Sequence, residues 1–243
     1  MLKNKLNSIL FSLIKMGKSA CCGPKKSKGR YYYNNGNYYE GDLSDNIPDG
    51  KGILYLSNGE IKYEGNFVNG KKQGLGTYYF DKDFYVIENG EKLYFRKGDY
   101  YKGQWSNNAM NGKGTLYLKD GSVKYEGDFV NNKLTGKGKY YFKTGGYYIG
   151  QILNNKQHGK GIMYDENGNK IFEGNYIEDK KEGEGKYYFR DGSYCCATFK
   201  NNKVHGKGQL YNGNGILMDK LNFIDGNAVD SVPDILDDKF HNF

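Results

Sequence analysis

Gly-x-Gly pairs recur through this chain, and they are the first residues that could do chemistry. They begin at Gly50, Gly74, Gly112, Gly136, Gly159, Gly183 and Gly206. A glycine-rich turn can cradle phosphate, but the dinucleotide fingerprint needs a third glycine opening a helix. Here each pair runs into strand-like residues, as in Ile53-Leu54-Tyr55-Leu56. Gly112-Lys113-Gly114-Thr115 lacks the Gly-Lys-Ser/Thr ending of a phosphate loop. His158 and His205 both directly precede such a pair, a recurrence that points to a structural slot. Cys195-Cys196 has no Cys-x-x-Cys spacing, so no metal site is expected from it. A Cys195–His205 nucleophile would need an orienting partner and an oxyanion site, and the sequence identifies neither. Glu40, Glu64, Glu126 and Glu173 recur at one slot, which makes them repeated surface acids rather than a hydrolytic carboxylate pair. No catalytic residue, cofactor or metal is expected.

The elements that carry these residues form a repeat. An aromatic–acid–glycine start is followed about nine residues later by the Gly-x-Gly pair, as in Tyr63-Glu64-Gly65-Asn66-Phe67 before Gly74, and Tyr125-Glu126-Gly127-Asp128-Phe129 before Gly136. Units start at Tyr39, Tyr63, Tyr101, Tyr125, Tyr148, Phe172 and Cys195, and a partial eighth begins near Met218. Self-similarity at this period marks a repeat architecture. Each half-unit alternates at period two, which predicts strands. Asn-Gly and Asn-Asn clusters between the halves predict two-residue hairpin turns with positive φ. Alternation places the recurrent acids opposite the aromatic–glycine face.

The third residue after each pair is always tyrosine: Tyr55, Tyr79, Tyr117, Tyr141, Tyr164, Tyr188 and Tyr211. Seven tyrosines in one slot predict a ladder of stacked rings. Glycines beside rings predict close packing of ring on backbone. Residues 81–97 interrupt the period with two apolar runs about Asn89-Gly90, which reads as a lengthened hairpin or a degenerate repeat.

Tyr-Glu-Gly-x-Phe/Trp, a turn, then Gly-Lys-Gly-x-x-x-Tyr resembles the MORN (membrane occupation and recognition nexus) repeat. Tyr101-Lys102-Gly103-Gln104-Trp105 with Gly112-Lys113-Gly114, and Tyr125 to Gly138, carry it most clearly. The resemblance spans about 39–227 and implies an all-β fold. That fold is an elongated, single-layer antiparallel sheet of about seven tandem hairpins with an aromatic groove. It also implies scaffolding, partner binding or membrane–cytoskeleton attachment rather than catalysis. The groove candidates are Tyr55, Tyr79, Trp105, Tyr117, Tyr141, Tyr164 and Tyr188, expected to hold a peptide or helix of a protein partner. The unit opening Cys195-Cys196-Ala197 departs from the family pattern and reads as a modified end unit.

Charge sets the repeat apart from what precedes it. Residues 1–38 carry eight basic residues and no acid, and the remaining 28 basic and 28 acidic residues cancel. A neutral body weighs against nucleic-acid binding. Residues 1–38 are expected to be a basic arm, a short helix or disordered segment. Leu2, Leu6, Ile9, Leu10, Leu13 and Ile14 fall near helical spacing among Lys3, Lys5 and Lys15, as in an interfacial helix. Met16-Gly17-Lys18-Ser19-Ala20-Cys21-Cys22 follows. With translation from Met16, Gly17 is a myristoylation candidate, and Cys21 and Cys22 are palmitoylation candidates. Lys18, Lys25, Lys26, Lys28 and Arg30 would face an anionic membrane. Residues 228–243 are expected to be a tail or short capping helix.

The sequence therefore predicts a cytoplasmic, non-catalytic scaffold, peripheral to a membrane or membrane–cytoskeleton site, with homo-oligomerisation through end units as a further expectation. The alternative is a regulatory module or subunit of a lipid-kinase or methyltransferase system.

Overall fold

The computed structural model describes residues 23–88 and 91–229. These residues hold nineteen strands and no helix. The chain divides into two compact units, Met1–Gly74 and Leu75–Phe243. The first contains β1 (Lys26–Tyr32), β2 (Tyr38–Ser44), β3 (Ile47–Tyr55), β4 (Ile61–Val68) and the start of β5 (Lys71–Tyr79). The second contains the rest of β5, then β6 (Phe84–Glu88), β7 (Glu91–Phe95), β8 (Tyr100–Ser106), β9 (Ala109–Tyr117), β10 (Val123–Val130) and β11 (Lys133–Tyr141). It continues through β12 (Tyr147–Leu153), β13 (Lys156–Tyr164), β14 (Lys170–Ile177), β15 (Lys180–Tyr188), β16 (Tyr194–Lys200), β17 (Lys203–Tyr211), β18 (Leu217–Ile224) and β19 (Asn227–Ala228).

Within each unit the strands form antiparallel hairpins in a single layer. In the first, β1 pairs with β2, β2 with β3 and β3 with β4. In the second, every strand from β8 to β19 pairs with its sequence neighbour, for example β10 with β11 and β11 with β12. The expected hairpin array is thus the fold. One boundary differs from expectation: the end of the 1–38 segment is not an arm, because Lys26–Tyr32 is strand β1, hydrogen-bonded to β2. Gly17, Lys18, Cys21 and Cys22, the amphipathic run before them and the C-terminal capping helix lie outside the described residues.

The turns inside hairpins have the backbone their sequences require. Asn131 and Asn132 sit at φ 48° and 69°, and Asn154 and Asn155 at 50° and 71°. Two successive positive φ values define the mirror-image turn whose twist matches that of the flanking strands. A bulge follows on the second strand, as where Gly136 and Lys137 are extra residues opposite the Gly127–Asp128 step. The first glycine of each pair sits in it at positive φ, Gly136 at 67°.

The second glycine of each pair has a different reason. Where the repeat opens with an aromatic its ring packs against this glycine, and a Cβ on Gly138 would meet the Tyr125 ring at 2.4 Å. The rings then pack edge to face along the sheet. Tyr39–Phe67, Tyr101–Phe129 and Phe172–Phe199 centroids are 4.8, 4.8 and 4.9 Å apart. Such pairs add about 0.5–1.5 kcal/mol to the burial of the rings themselves. Tyr39, Tyr63, Tyr101, Tyr125, Tyr148 and Phe172 are fully buried on this ring face. A single sheet thus builds its core from its own side chains.

Residues 84–95 form a separate two-stranded hairpin, with Phe84 opposite Phe95 and Glu88 opposite Glu91. Its base is held by a cluster of Phe80, Phe84 and Phe95, with centroids 4.7–5.4 Å apart. Lys124 donates to the Tyr94 carbonyl at 2.6 Å and lies over the Phe95 ring.

Candidate functional site

The face opposite the rings carries the tyrosine ladder. Tyr117 pairs with Tyr100, Tyr164 with Tyr147 and Tyr211 with Tyr194 across neighbouring strands. Their rings stack at 4.6, 4.6 and 5.0 Å, with interplanar angles of 9°, 17° and 16°. Tyr79, Tyr141 and Tyr188 extend the three pairs into triads at 5.8–5.9 Å. In the first unit Tyr55 stacks on Tyr38 at 4.8 Å. All of these rings are half-buried, each shielding the next.

The ladder is not continuous. Tyr38, Tyr100, Tyr147 and Tyr194 each precede an opening residue of an odd-numbered repeat, and Lys62, Lys124 and Ile171 stand in the even-numbered ones. The tyrosines therefore fall into triads. A cation caps two triads of the second unit: Lys139 lies 4.0 Å from the Tyr147 centroid and Lys186 4.4 Å from that of Tyr194. Arg30 lies over Tyr38 at 5.2 Å in the first unit.

Trp105 does not belong to this surface. It is buried on the ring face against Tyr101 at 5.3 Å, and its indole N–H donates to the Gly76 carbonyl at 3.2 Å. Six of the seven predicted anchors thus share the ladder face and the seventh is core. Residues three and five along the first strand have the same side as its opening ring, so the alternation of Tyr101, Gly103 and Trp105 carried that signal.

Beside the ladder runs a row of charges. In the second unit Glu126 faces Lys139, and Glu173 faces Lys186. The recurrent acids do lie opposite the ring face, with strand residues as cross-strand neighbours. Glu173 accepts from Lys170 at 2.9 Å and from the Tyr188 hydroxyl at 3.2 Å. The Lys170 contact holds the Glu173 carboxyl below the usual range. In the first unit Glu40 is paired with Arg30.

Over β14–β18 this face deepens into a cleft of about 800 Å³. Glu173, Lys186, Cys196, Thr198, Lys207 and Lys220 are among its lining residues. Cys196 forms part of its floor, with its thiol pushed up by burial. Cys195 points to the ring face, is buried, and has its thiol pushed up to about 12 by burial. Its Sγ fills part of the place of the missing opening ring, and Phe223 from β18 covers Gly208 instead. His205 is half-exposed and lies 3.9 Å from Asp225. Cys195 and His205 are thus not assembled as a nucleophile and base. Among the described residues no group of three or more His, Cys, Asp or Glu side chains converges on a metal position.

The fold and both faces are those of a hairpin repeat array, and the comparison with known families agrees. The MORN repeat model matches residues 39–61, 63–83, 101–123, 125–147, 148–170, 172–194 and 195–216. The chain belongs to the MORN repeat family. It is similar to Alsin of Rattus norvegicus, 33% identical over 116 residues, which cover 46% of this chain and 6% of that protein. Alsin of Homo sapiens is 32% identical over the same shares. An inactive protein tyrosine kinase pTKL of Plasmodium berghei is 50% identical over 42 residues, 17% of this chain and 3% of that protein. The chain thus spans a small fraction of the relatives it matches.

Proposed function

We propose that this chain is a non-catalytic scaffold whose ladder face takes up a peptide or helix of a protein partner, and whose basic N-terminal segment tethers it to an anionic membrane surface or membrane–cytoskeleton site on the cytoplasmic side. The supporting observation is the concentration of half-exposed tyrosines beside a cleft on one face. Tyrosine offers large, rigid contact area and a polar tip, and such residues dominate binding energy at interfaces. Lys186, Lys207 and Lys220 line the same cleft and favour an acidic partner.

Proximity labelling of the full chain tests this reading, with Tyr147→Ala/Tyr164→Ala as the comparison. Neither ring belongs to the buried core, so the variant should keep its circular dichroism spectrum and a single cooperative melt, lowered only by the loss of one stacked pair. Partners held by the ladder face should be labelled at least ten-fold less in the variant. An unchanged set of labelled proteins would reject the ladder face as the binding surface. The second reading, a regulatory module of a lipid-kinase or methyltransferase system, draws support from the much greater length of the relatives. It requires such an enzyme among the labelled partners.

A further inference from the structure

β1 has the signature of a second hairpin strand. Gly29-Arg30-Tyr31-Tyr32 matches Gly138-Lys139-Tyr140-Tyr141 and Gly185-Lys186-Tyr187-Tyr188 residue for residue. Its register is also theirs. Gly29 faces Gly41, Arg30 faces Glu40 and Tyr31 faces Tyr39, as Gly138 faces Gly150, Lys139 faces Ile149 and Tyr140 faces Tyr148. A similar two-bond clamp from the following turn is present, made here by the first turn residue: Lys25 N donates to Asp45 Oδ1, and Asp45 N to the Lys25 carbonyl, each at 3.0 Å.

Among the described residues no first strand precedes it. Inside the array a first strand lies on the other edge of each second strand, and where the second strand carries lysine in the Arg30 slot its partner reads aromatic–acid–glycine. Opposite Gly138, Lys139 and Tyr140 lie Gly127, Glu126 and Tyr125. Opposite Gly185, Lys186 and Tyr187 lie Gly174, Glu173 and Phe172. Among the described residues nothing pairs with the outer edge of β1, and all seven of its residues are exposed. Gly29 shows the vacancy directly. Gly138 and Gly185 have an aromatic ring within 2.6 Å of where a Cβ would stand, whereas Gly29 has only Leu43 Cδ1, at 3.3 Å.

We propose that the outer edge of β1 is a docking site for an extended segment of another protein with the sequence aromatic–acid–glycine. The incoming backbone would continue the antiparallel ladder, as in strand addition to an open edge. Its aromatic ring would lie on Gly29 beside Leu43, and its carboxylate would face Arg30. Lys26, Lys28 and Arg30 on this strand favour an acidic ligand and disfavour fortuitous pairing with neutral strands. A second copy of the chain does not supply the match. Its outermost long strand, β18, holds Leu221 in the glycine slot, opposite Gly208, and Lys220 in the acid slot, opposite Gln209. Docked here it would set lysine against Arg30, a destabilising cross-strand pair. This site is separate from the ladder-face cleft and stands whether or not that cleft binds a partner.

The test uses the full chain and a fluorescent eight-residue peptide copying Val123–Val130. Polarisation should rise saturably with protein. The same peptide with its glutamate replaced by lysine should bind at least ten-fold more weakly, as should the original peptide to Arg30→Glu. Pairing the lysine peptide with Arg30→Glu should restore binding, which also shows that this variant keeps β1 in place. Gly29→Val should abolish binding with the melting temperature unchanged. Absence of saturable binding, equal binding of both peptides, or no rescue by the charge swap overturns the proposal. So does a concentration-dependent dimer that excludes the peptide, which would assign the edge to a second copy.

Discussion

Tyr125 and Tyr176 show how much a single hydroxyl depends on its slot. The opening tyrosines Tyr39, Tyr63, Tyr101, Tyr125 and Tyr148 each donate to a backbone carbonyl three residues on, at 2.8–3.1 Å. In the sixth repeat the pair is exchanged: Phe172 opens it, and Tyr176 stands where Phe67 and Phe129 stand elsewhere. The Tyr176 hydroxyl is buried with no hydrogen-bond partner among the described residues. An unsatisfied buried hydroxyl costs about 1–3 kcal/mol, and its removal without a cavity is neutral or stabilising. Tyr176→Phe should therefore raise stability by up to about 1 kcal/mol, which chemical denaturation can measure. A loss of more than 1 kcal/mol would show that the hydroxyl has a partner. Lys72 poses a related problem with charge. Its ammonium lies 5.5 Å from the Tyr63 centroid, and burial, helped by the Lys62 charge, lowers its pKa to about 8. The unfolded chain keeps that proton to about pH 10.4. Between those values the unfolded state binds more protons, so stability rises with pH across this window and the penalty is fully present below it. Lys72→Met should stabilise by about 1 kcal/mol at neutral pH, allowing for its partial exposure, and the gain should vanish near pH 10.

At the scale of the element, hairpins are tied to one another through their turns. The second turn residue reaches back to the preceding hairpin with two bonds. Asn155 Oδ1 accepts from Leu134 N at 2.8 Å, and Asn155 N donates to the Leu134 carbonyl at 2.9 Å. Asn132, Asp179 and Asn202 repeat this with Met110, Gln157 and Lys181. Asn155→Ala should cost about 1–3 kcal/mol: it orphans the N–H of a buried residue and loses asparagine's tolerance of positive φ. Asn155→Gly removes only the side-chain bond, so it should cost less by about 1 kcal/mol. Equal losses in thermal or denaturant unfolding would mean that the turn backbone carries no strain. This clamp was not legible in the sequence, where Asn-Asn read only as a turn former, because the bond joins residues about 21 apart through a register that only pairing fixes. The hairpins, the turn type and the ring-on-glycine packing were legible, since each rests on alternation and on glycine. Trp105 was misplaced because aromatic character was read without its side of the strand. Strand β1 carries no Tyr-Glu-Gly start to mark it; the Gly29-Arg30-Tyr31-Tyr32 run was the available signal.

Across the whole molecule the excess charge is confined to one end, and strand β1 changes how it should be counted. Residues 1–38 hold all of the net +8. Of its eight cations, Arg30 is paired with Glu40 and Lys28 lies 3.8 Å from Asp42. Lys25 and Lys26 remain near the sheet, and Lys3, Lys5, Lys15 and Lys18 lie before residue 23. Each basic residue close to an anionic surface contributes about 1 kcal/mol, and the contribution fades within a Debye length. Removing residues 1–22 takes four lysines, the apolar run from Leu2 to Ile14 and all three acylation candidates, Gly17, Cys21 and Cys22, while leaving every described strand intact. Cutting after residue 38 would instead strip β1 from β2 and confound binding with exposure of a new edge. The full chain should therefore float with phosphatidylserine-containing vesicles at low salt, and 23–243 should stay with the soluble fraction. High salt should weaken flotation of the unmodified chain, because only its apolar run would remain to hold it. In cells an acylated chain should resist that wash, since two acyl signals anchor stably where one chain or a few charges bind reversibly. Equal flotation of 23–243, which keeps Lys25, Lys26, Lys28 and Arg30, would move the membrane contact onto the sheet and its edge strand β1.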